Sequence, residues 1–576
     1  MVLYRRGLCC LTLCALQSFQ FAARWLSAGN FDTMPNMNMK HLTIAAAAAL
    51  LSSAAMAGKI WFNEDNEHFY THHTDEEMSV AGCRALAKTY GGFGEFAGVL
   101  YCINLQRALY DSEVWERFKD VESPLQPIYP GHVKLLSERG VDHFAEFLDE
   151  TRRRGMKAWL TMRMNDCHGL KECAHGKTDI RIAPWRTQLW LDHPELRRAP
   201  YRDERSWEGA FDWGNPRIRE RALALVREAF GKWDFDGFEF DWLRWGMYFK
   251  PGAEREGAEL LNAFMREVVK IRDAAERRVG HRIALGHRVP PDPRAALNHG
   301  FDVAAWAEAG AVQMLTLSTF GNSNEFDMPL ALWRRLLKPG THLNVAVGGT
   351  TEASAFNSSA GMMFMRGAAA AAWAGGADGV YLFNACYMEP KQNAALGKYL
   401  HEIGSKESLA KLERWTAVTC EAQVMPGDSN RAILPMPLSE RYIGRDFSRM
   451  EQNMTVRLSA PLVTSETTCT LDLAFDAATP DEAIEALPVR VNTVVVKRCD
   501  KGLRRLRRDN VKEGPENGFA PFGDGKDRFP RDAAKVVSFD VPGAILKDFY
   551  NAVELLPEYG TPGNLVWAQF RLKPAR

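Results

Sequence analysis

The sequence predicts an α/β fold, a (β/α)8 TIM barrel followed by an antiparallel β-sandwich domain. Three observations predict it. Between residues 59 and 403, eight short apolar runs alternate with stretches of helical periodicity, the arithmetic of eight strand–helix units with insertions. No Gly-rich phosphate turn follows an early strand, as an open, doubly wound sheet would want. Past about Trp415 helical periodicity fades, and short β-rich runs punctuated by turn residues take over.

The first strand is residues 59–65, a short apolar run ending in polar groups, and a helix follows over 75–90. Residues 96–104 read as a second buried strand, and a long loop leads to a helix over 141–154 that Gly155 ends. Residues 156–163 are strand three. The fourth unit is the clearest: Asn215 caps, Pro216 takes the first helical position, and Ile218, Ala222, Leu225, Val226 and Ala229 recur at helical spacing. Strand four is Asp236-Gly-Phe-Glu-Phe-Asp241. A helix over 254–278 precedes strand five (282–289), and Asp302 caps a short helix before strand six (312–318). Strand seven is 342–348, an Ala/Met-rich helix covers 358–374, strand eight is 379–384, and a helix over 393–403 closes the set. The sandwich strands are expected within 415–424, 454–460, 468–475, 489–496, 536–541, 552–556 and 565–572, with 501–531 a long loop. The domains are therefore 58–405 and 412–576.

Residues 1–57 read as addressing. Lys40 precedes the apolar run Leu42 to Leu51, and Ala55-Met56-Ala57 is a small-x-small cleavage site. The run is too short for a permanent bilayer span. We expect export to the periplasm or exterior with cleavage near Ala57, translation starting at Met37 or Met39, and no membrane span in the mature chain.

The 576 residues are 46% hydrophobic and 25% charged, which excludes disorder as the main state. Lys+Arg and Asp+Glu both total 72, so no global basic field exists to hold nucleic acid. Of 11 cysteines, Cys83, Cys102, Cys167, Cys173, Cys386, Cys420, Cys469 and Cys499 follow the leader, too sparse for a disulfide scaffold. Cys167, His168, Cys173 and His175 match no standard zinc spacing, so neither metal nor cofactor is expected. Phosphate loops, His-Glu-x-x-His and Gly-x-Ser-x-Gly are all missing.

In such a barrel the reactive groups project from the carboxyl ends of the strands. Those ends carry Asn63 and Asp65, Asn104 and Gln106, then Arg163, Asn165, Asp166 and His168. Strand four offers Glu239, Asp241 and Arg244, strand five His287 and Arg288, strand six Ser318, and strand eight Asn384, with Glu352 following strand seven. Glu239 and Asp241 are two apart and share a face, with Phe238 and Phe240 on the other. Two carboxylates in one cavity raise one pKa and leave the other ionised, the division that glycoside hydrolysis needs. An ion pair of Glu239 with Arg163 or Arg244 is the structural alternative. Asp241 is the expected nucleophile or base, Glu352 or Asp166 the proton donor, and Glu239 a group that tunes Asp241. Arg163, His287 and Arg288 suit an anionic sugar.

The run His193-Pro-Glu-Leu, then Asp212, Asn215-Pro-Arg-Ile-Arg and Asp234-Phe-Asp-Gly-Phe-Glu-Phe-Asp-Trp-Leu-Arg244, resembles bacterial glycosyl-hydrolase-like barrels of the family-10-like group. Arg163-Met-Asn-Asp166 and Gly376-Ala-Asp-Gly-Val-Tyr-Leu-Phe-Asn384 are similar to motifs of the same set, and the resemblance covers residues 58–405. It implies a glycan-processing barrel, often exported, with an acidic site after strand four and a trailing accessory β-sandwich. Strand four ends Glu-Phe-Asp here, where barrel glycosidases of the largest clan have Asn-Glu. The expectation is an exported glycoside hydrolase acting on a polysaccharide or oligosaccharide. The alternatives are a non-catalytic glycan-binding barrel and a polysaccharide lyase with His287 as base beside Arg288 or Arg163. The oligomeric state is not written in the sequence.

Overall fold

A computed structural model describes residues 59–122, 127–168, 186–201, 206–243, 246–319, 324–348, 359–383, 396–418, 434–438, 454–506, 519–522, 527–530, 533–558 and 560–575. Every described residue lies in one compact unit, Ala57–Arg576. The expected leader therefore lies outside the described residues.

Eight parallel strands close a barrel in chain order: β1 (Lys59–Glu64), β2 (Phe96–Cys102), β3 (Lys157–Arg163), β4 (Gly237–Asp241), β5 (Ala284–Val289), β6 (Met314–Leu317), β7 (His342–Gly348) and β8 (Gly379–Phe383). Pairing of β8 back onto β1 leaves the sheet without an edge. The helices around it are α1 (Val80–Gly92), α2 (Ile128–Glu138), α3 (His143–Arg153), α4 (Pro216–Lys232), α5 (Glu254–Val279), α6 (Val303–Glu308), α7 (Leu330–Leu336), α8 (Ser359–Ala374) and α9 (Leu396–Ile403).

Local chemistry sets their ends. The side chains of Asp142, Asn215 and Asp302 accept from the backbone N–H of Ala145, Arg217 and Ala305, satisfying donors that the first turn leaves over. Gly280, at φ 81°, ends α5 in the left-handed region that a side chain resists. The expected loop between β2 and α3 contains α2. Its apolar pattern is short and carries Pro130, which the first turn tolerates because that N–H has no helical partner to lose.

Strand alternation sorts the barrel's two sides. Phe62, Val99, Leu160, Phe238, Leu285 and Val345 belong to the apolar core between strands and helices. Their neighbours point inward. Trp61 and Trp159 meet edge to face at 5.3 Å and plug the amino end of the barrel. Glycines make that room: a Cβ on Gly237 would sit 2.3 Å from Trp159, and one on Gly98 2.6 Å from Trp61.

Beyond α9 the chain forms antiparallel sheets. Thr468–Phe475 pairs with Lys535–Pro542 on one side and Asn564–Lys573 on the other, within a seven-stranded sheet. A four-stranded sheet holds Met454–Leu458, Asn551–Leu555, Val489–Val491 and Val494–Val495. Leu471, Leu473 and Phe475 of the first sheet share an apolar core with Val456, Val491 and Val553 of the second. The run expected as one strand over 489–496 is a hairpin, because Asn492 (φ 50°) and Thr493 (φ 71°) turn it back. The loop expected over 501–531 carries strand Arg504–Arg505 and a hairpin of Phe519–Phe522 with Asp527–Pro530.

The sheet region packs on α8. Phe364 meets Trp415 at 5.6 Å, and a Cβ on Gly367 would lie 1.8 Å from the Trp415 carbonyl oxygen. Among the described residues, no helix is long and apolar enough to cross a membrane.

Candidate active site

The inward residues near the carboxyl ends of the strands form two charge networks. On β4 and β5, Asp241 and Arg288 are register partners. Arg288 donates from Nε to Asp241 Oδ1 (2.8 Å) and from Nη2 to Oδ2 (3.1 Å), the planar two-point geometry that suits a guanidinium and a carboxylate. Its third nitrogen, Nη1, donates to Ser318 Oγ at 2.9 Å. The guanidinium also lies 3.8 Å from the Phe383 ring centroid, and the Leu243 N–H donates to Asp241 Oδ1 at 3.1 Å. Asp241 is thus held by Arg288 of β5 and by the Leu243 N–H, while Ser318 and Phe383 hold Arg288.

The second network runs along the loop after β3. Arg163 bridges Asp65 (2.7 Å) and Asp166 (3.0 Å). Asp166 in turn faces His168 Nδ1 at 2.9 Å and accepts the His168 N–H at 3.0 Å. Burial alone would raise the Asp166 pKa, but His168 and Arg163 outweigh it and hold the carboxyl well below the usual range. His168 is the exposed member, its side chain 41% accessible, whereas Arg163 and Asp166 are buried.

Glu239 sits two residues deeper. Its Oε1 accepts from Thr161 Oγ1 (2.9 Å) and from the Tyr381 hydroxyl (2.8 Å), and Oε2 is buried without a partner. Complete burial, and then the negative charge of Asp241, push the Glu239 pKa up to about 7. Glu239 and Asp241 therefore differ in kind. One is a desolvated carboxyl that keeps its proton towards neutrality, and the other is matched with a guanidinium.

Several expected contact residues do structural work. Asn104 clamps β2 to β3, accepting from the Arg163 N–H (3.1 Å) and donating to the Arg163 carbonyl (2.9 Å). Gln106 donates to the Asp166 carbonyl at 2.9 Å. Asn165 joins the loops after β3 and β4, accepting from the Phe211 N–H and donating to the Phe211 and Met247 carbonyls. Asn63 is buried on the inward face of β1.

His287 lies on the opposite side of β5. Trp242 Nε1 donates to its Nδ1 (3.0 Å), its Nε2 lies 2.8 Å from the Ala311 carbonyl, and its ring stacks on Phe240. Burial lowers its pKa to about 4. The expected pairing of His287 with Arg288 at the mouth fails for a simple reason: adjacent strand residues face opposite ways, and Arg288 has the inward position. Arg244, Glu352 and Asn384 lie outside the described residues.

Thr161, Tyr381 and Phe383 were not among the expected site residues. Their signal was available, since each is an even-step neighbour of an inward residue on its own strand. Thr161 and Tyr381 lie within strand bodies, away from the polar strand ends, and Phe383, at the end of β8, is apolar. Among the described residues, no group of three or more His, Cys, Asp or Glu is placed to hold a metal ion.

No protein-family model matches the chain, and no curated protein matches its sequence. Among solved structures, a Paenibacillus sp. cycloisomaltooligosaccharide glucanotransferase is similar at 10% identity and a TM-score of 0.31, over 90% of this chain and 57% of that one. A GH138 enzyme targeting pectin rhamnogalacturonan II is 11% identical at a TM-score of 0.37, over 61% of this chain and 39% of that one. An α-L-fucosidase from Paenibacillus thiaminolyticus is 12% identical at 0.30, over 89% of this chain and all of that one, and M. tuberculosis tryptophan synthase reaches 12% at 0.27, over 62% and 95%. The chain thus spans little more than half the length of the glucanotransferase and less of the GH138 enzyme.

Proposed function

We propose that the chain is an exported glycoside hydrolase that cleaves glycosidic bonds in an anionic polysaccharide or oligosaccharide, a member of the family-10-like group its motifs resemble. The observation that supports this most is the pair on β4. A carboxylate held in one orientation by Arg288 stands two residues from a buried carboxyl that keeps its proton towards neutral pH. In this reading Asp241 attacks the anomeric carbon, or takes the proton of the water that does, as the bond to the leaving oxygen breaks. Glu239, neutral, spares Asp241 a second negative charge and so tunes it. Asp166 is committed to Arg163 and His168 and suits orientation of the sugar better than proton donation, which leaves Glu352 as the donor. The exposed His168 and the buried Arg163 behind it favour a carboxylated or sulfated glycan. The leader is removed near Ala57, and the trailing sheets act as an accessory β-sandwich.

One observation favours a second reading. Both oxygens of Asp241 are held by Arg288, as they would be in a glycan-binding barrel without catalysis. The lyase reading loses its base, because both His287 ring nitrogens face partners on the helix side.

The test is to incubate the full-length chain with neutral, uronic and sulfated polysaccharides, following reducing ends, ultraviolet absorbance and binding. New reducing ends without absorbance support the hydrolase. Absorbance from unsaturated ends moves the case to a lyase, and binding without products to the glycan-binding barrel.

A further inference from the structure

Among the described residues, besides Arg163 Nε nearer the mouth, four buried polar atoms of inward strand residues have no hydrogen-bond partner: Asn63 Oδ1, Glu239 Oε2, Thr316 Oγ1 and the Asn344 amide atom turned away from His342. All four residues are at least 98% buried. They come from β1, β4, β6 and β7, and the strand registers place them close in height. Glu239 is opposite Gly286, and two residues further along β5 Arg288 is opposite Thr316. A further such step through Asn344 and Ala346 reaches Tyr381, whose hydroxyl bonds Glu239 across the barrel. Glu239, Thr316 and Tyr381 thus share one layer of inward side chains, with Asn344 a layer below and Asn63 a layer above.

Natural interiors leave few such atoms, and a polar void with two to four partners is where a buried water sits. The bonding of Glu239 sharpens the case. Thr161 and Tyr381 both donate to Oε1, so a neutral Glu239 carries its proton on Oε2, the unpartnered oxygen. That O–H needs an acceptor. Trp61 Nε1 donates to His342 Nε2 at 3.1 Å, and the Asn344 amide lies against the same nitrogen at 2.9 Å, so the amide gives its N–H to His342 and turns its oxygen to the interior. A water between this amide and Glu239 donates to the amide oxygen and accepts from the Glu239 O–H.

We propose that the barrel interior holds an ordered water bonded to Glu239 Oε2, Thr316 Oγ1 and the Asn344 amide, and that this water accepts the hydrogen bond of the Glu239 O–H. Thr316 and Asn344 are then positioning residues for Glu239. The charged and titratable groups facing Glu239 are Asp241 on its own strand, Arg288 on β5 and Tyr381 on β8, with His342 on β7 beside Asn344. The proposal does not rest on the glycosidase reading, and its test needs no substrate.

The test is a high-resolution crystal structure of the full chain, with thermal unfolding of the parent, Thr316→Val and Asn344→Leu followed against pH. A water within hydrogen-bonding distance of all three atoms is the expected result. With a partner of that water gone, ionised Glu239 is less well solvated, so the pH at which the parent loses stability should rise by about one unit in each variant. A dry interior, or Oε2 bonded to a protein atom, overturns the proposal. So does an unchanged midpoint in a variant that folds. If neither variant folds, the crystal structure decides alone.

Discussion

At the residue scale, Glu239 carries a measurable signature. Its pKa rises from an ordinary 4.5 to about 7 because burial, and then Asp241, penalise its charge. The unfolded chain therefore ionises at Glu239 before the folded chain does. Stability from this group is complete below pH 4.5, falls between pH 4.5 and about 7, and is level above that. The shift corresponds to about 3 kcal/mol. Glu239→Gln keeps an acceptor for Thr161 and Tyr381 and has no proton to lose. The variant should match the parent near pH 4.5 and exceed its stability at pH 8, read from chemical denaturation at the two pH values. An equal loss of stability in parent and variant across that window would assign the pH dependence to another group.

At the element scale, the strands had to be small where they face the tryptophan plug. Gly237 shows the constraint most directly, because its missing Cβ is replaced by the Trp159 ring. Gly237→Ala should cost about 1–3 kcal/mol as the ring or strand shifts, seen as a lowered Tm. No change in Tm would mean that Trp159 has room to move. The same scale shows what the sequence could tell. All eight barrel strands were legible, since fully buried strands read as apolar runs and α4 and α5 carry caps and strong periodicity. The site was legible in part. The even spacing of Glu239 and Asp241 put both inside the barrel, but pairing is a matter of register between strands far apart in sequence. Nothing local says that Asp241 meets Arg288 or that Tyr381 crosses the barrel to Glu239. His287 was misplaced because a polar residue near a strand end was weighed by type rather than by alternation.

At the scale of the whole molecule, barrel and sheets are joined by packing rather than by a linker. The core between strands and helices continues through Met365 and Ala369 of α8 into Trp415, Ala474, Val536 and Trp567. Buried Arg366 ties α8 to α9 through Glu402 at 2.6 Å and lies near the Glu413 carbonyl. A chain ending at residue 410 would expose that apolar face. It should aggregate or lose cooperative unfolding, checked by size-exclusion chromatography and thermal denaturation. A monomer that unfolds in one sharp step at the parent's Tm would show the sheets to be dispensable for the barrel.

The central claim is that the Arg288-held carboxylate of Asp241 does the chemistry. It is tested most directly by reducing-end release from acidic polysaccharides by the full chain and by Asp241→Asn, with polysaccharide binding measured on both. The account predicts release by the parent, a fall of about 10⁴-fold in the variant, and binding by both. Release by Asp241→Asn within a few fold of the parent would contradict it.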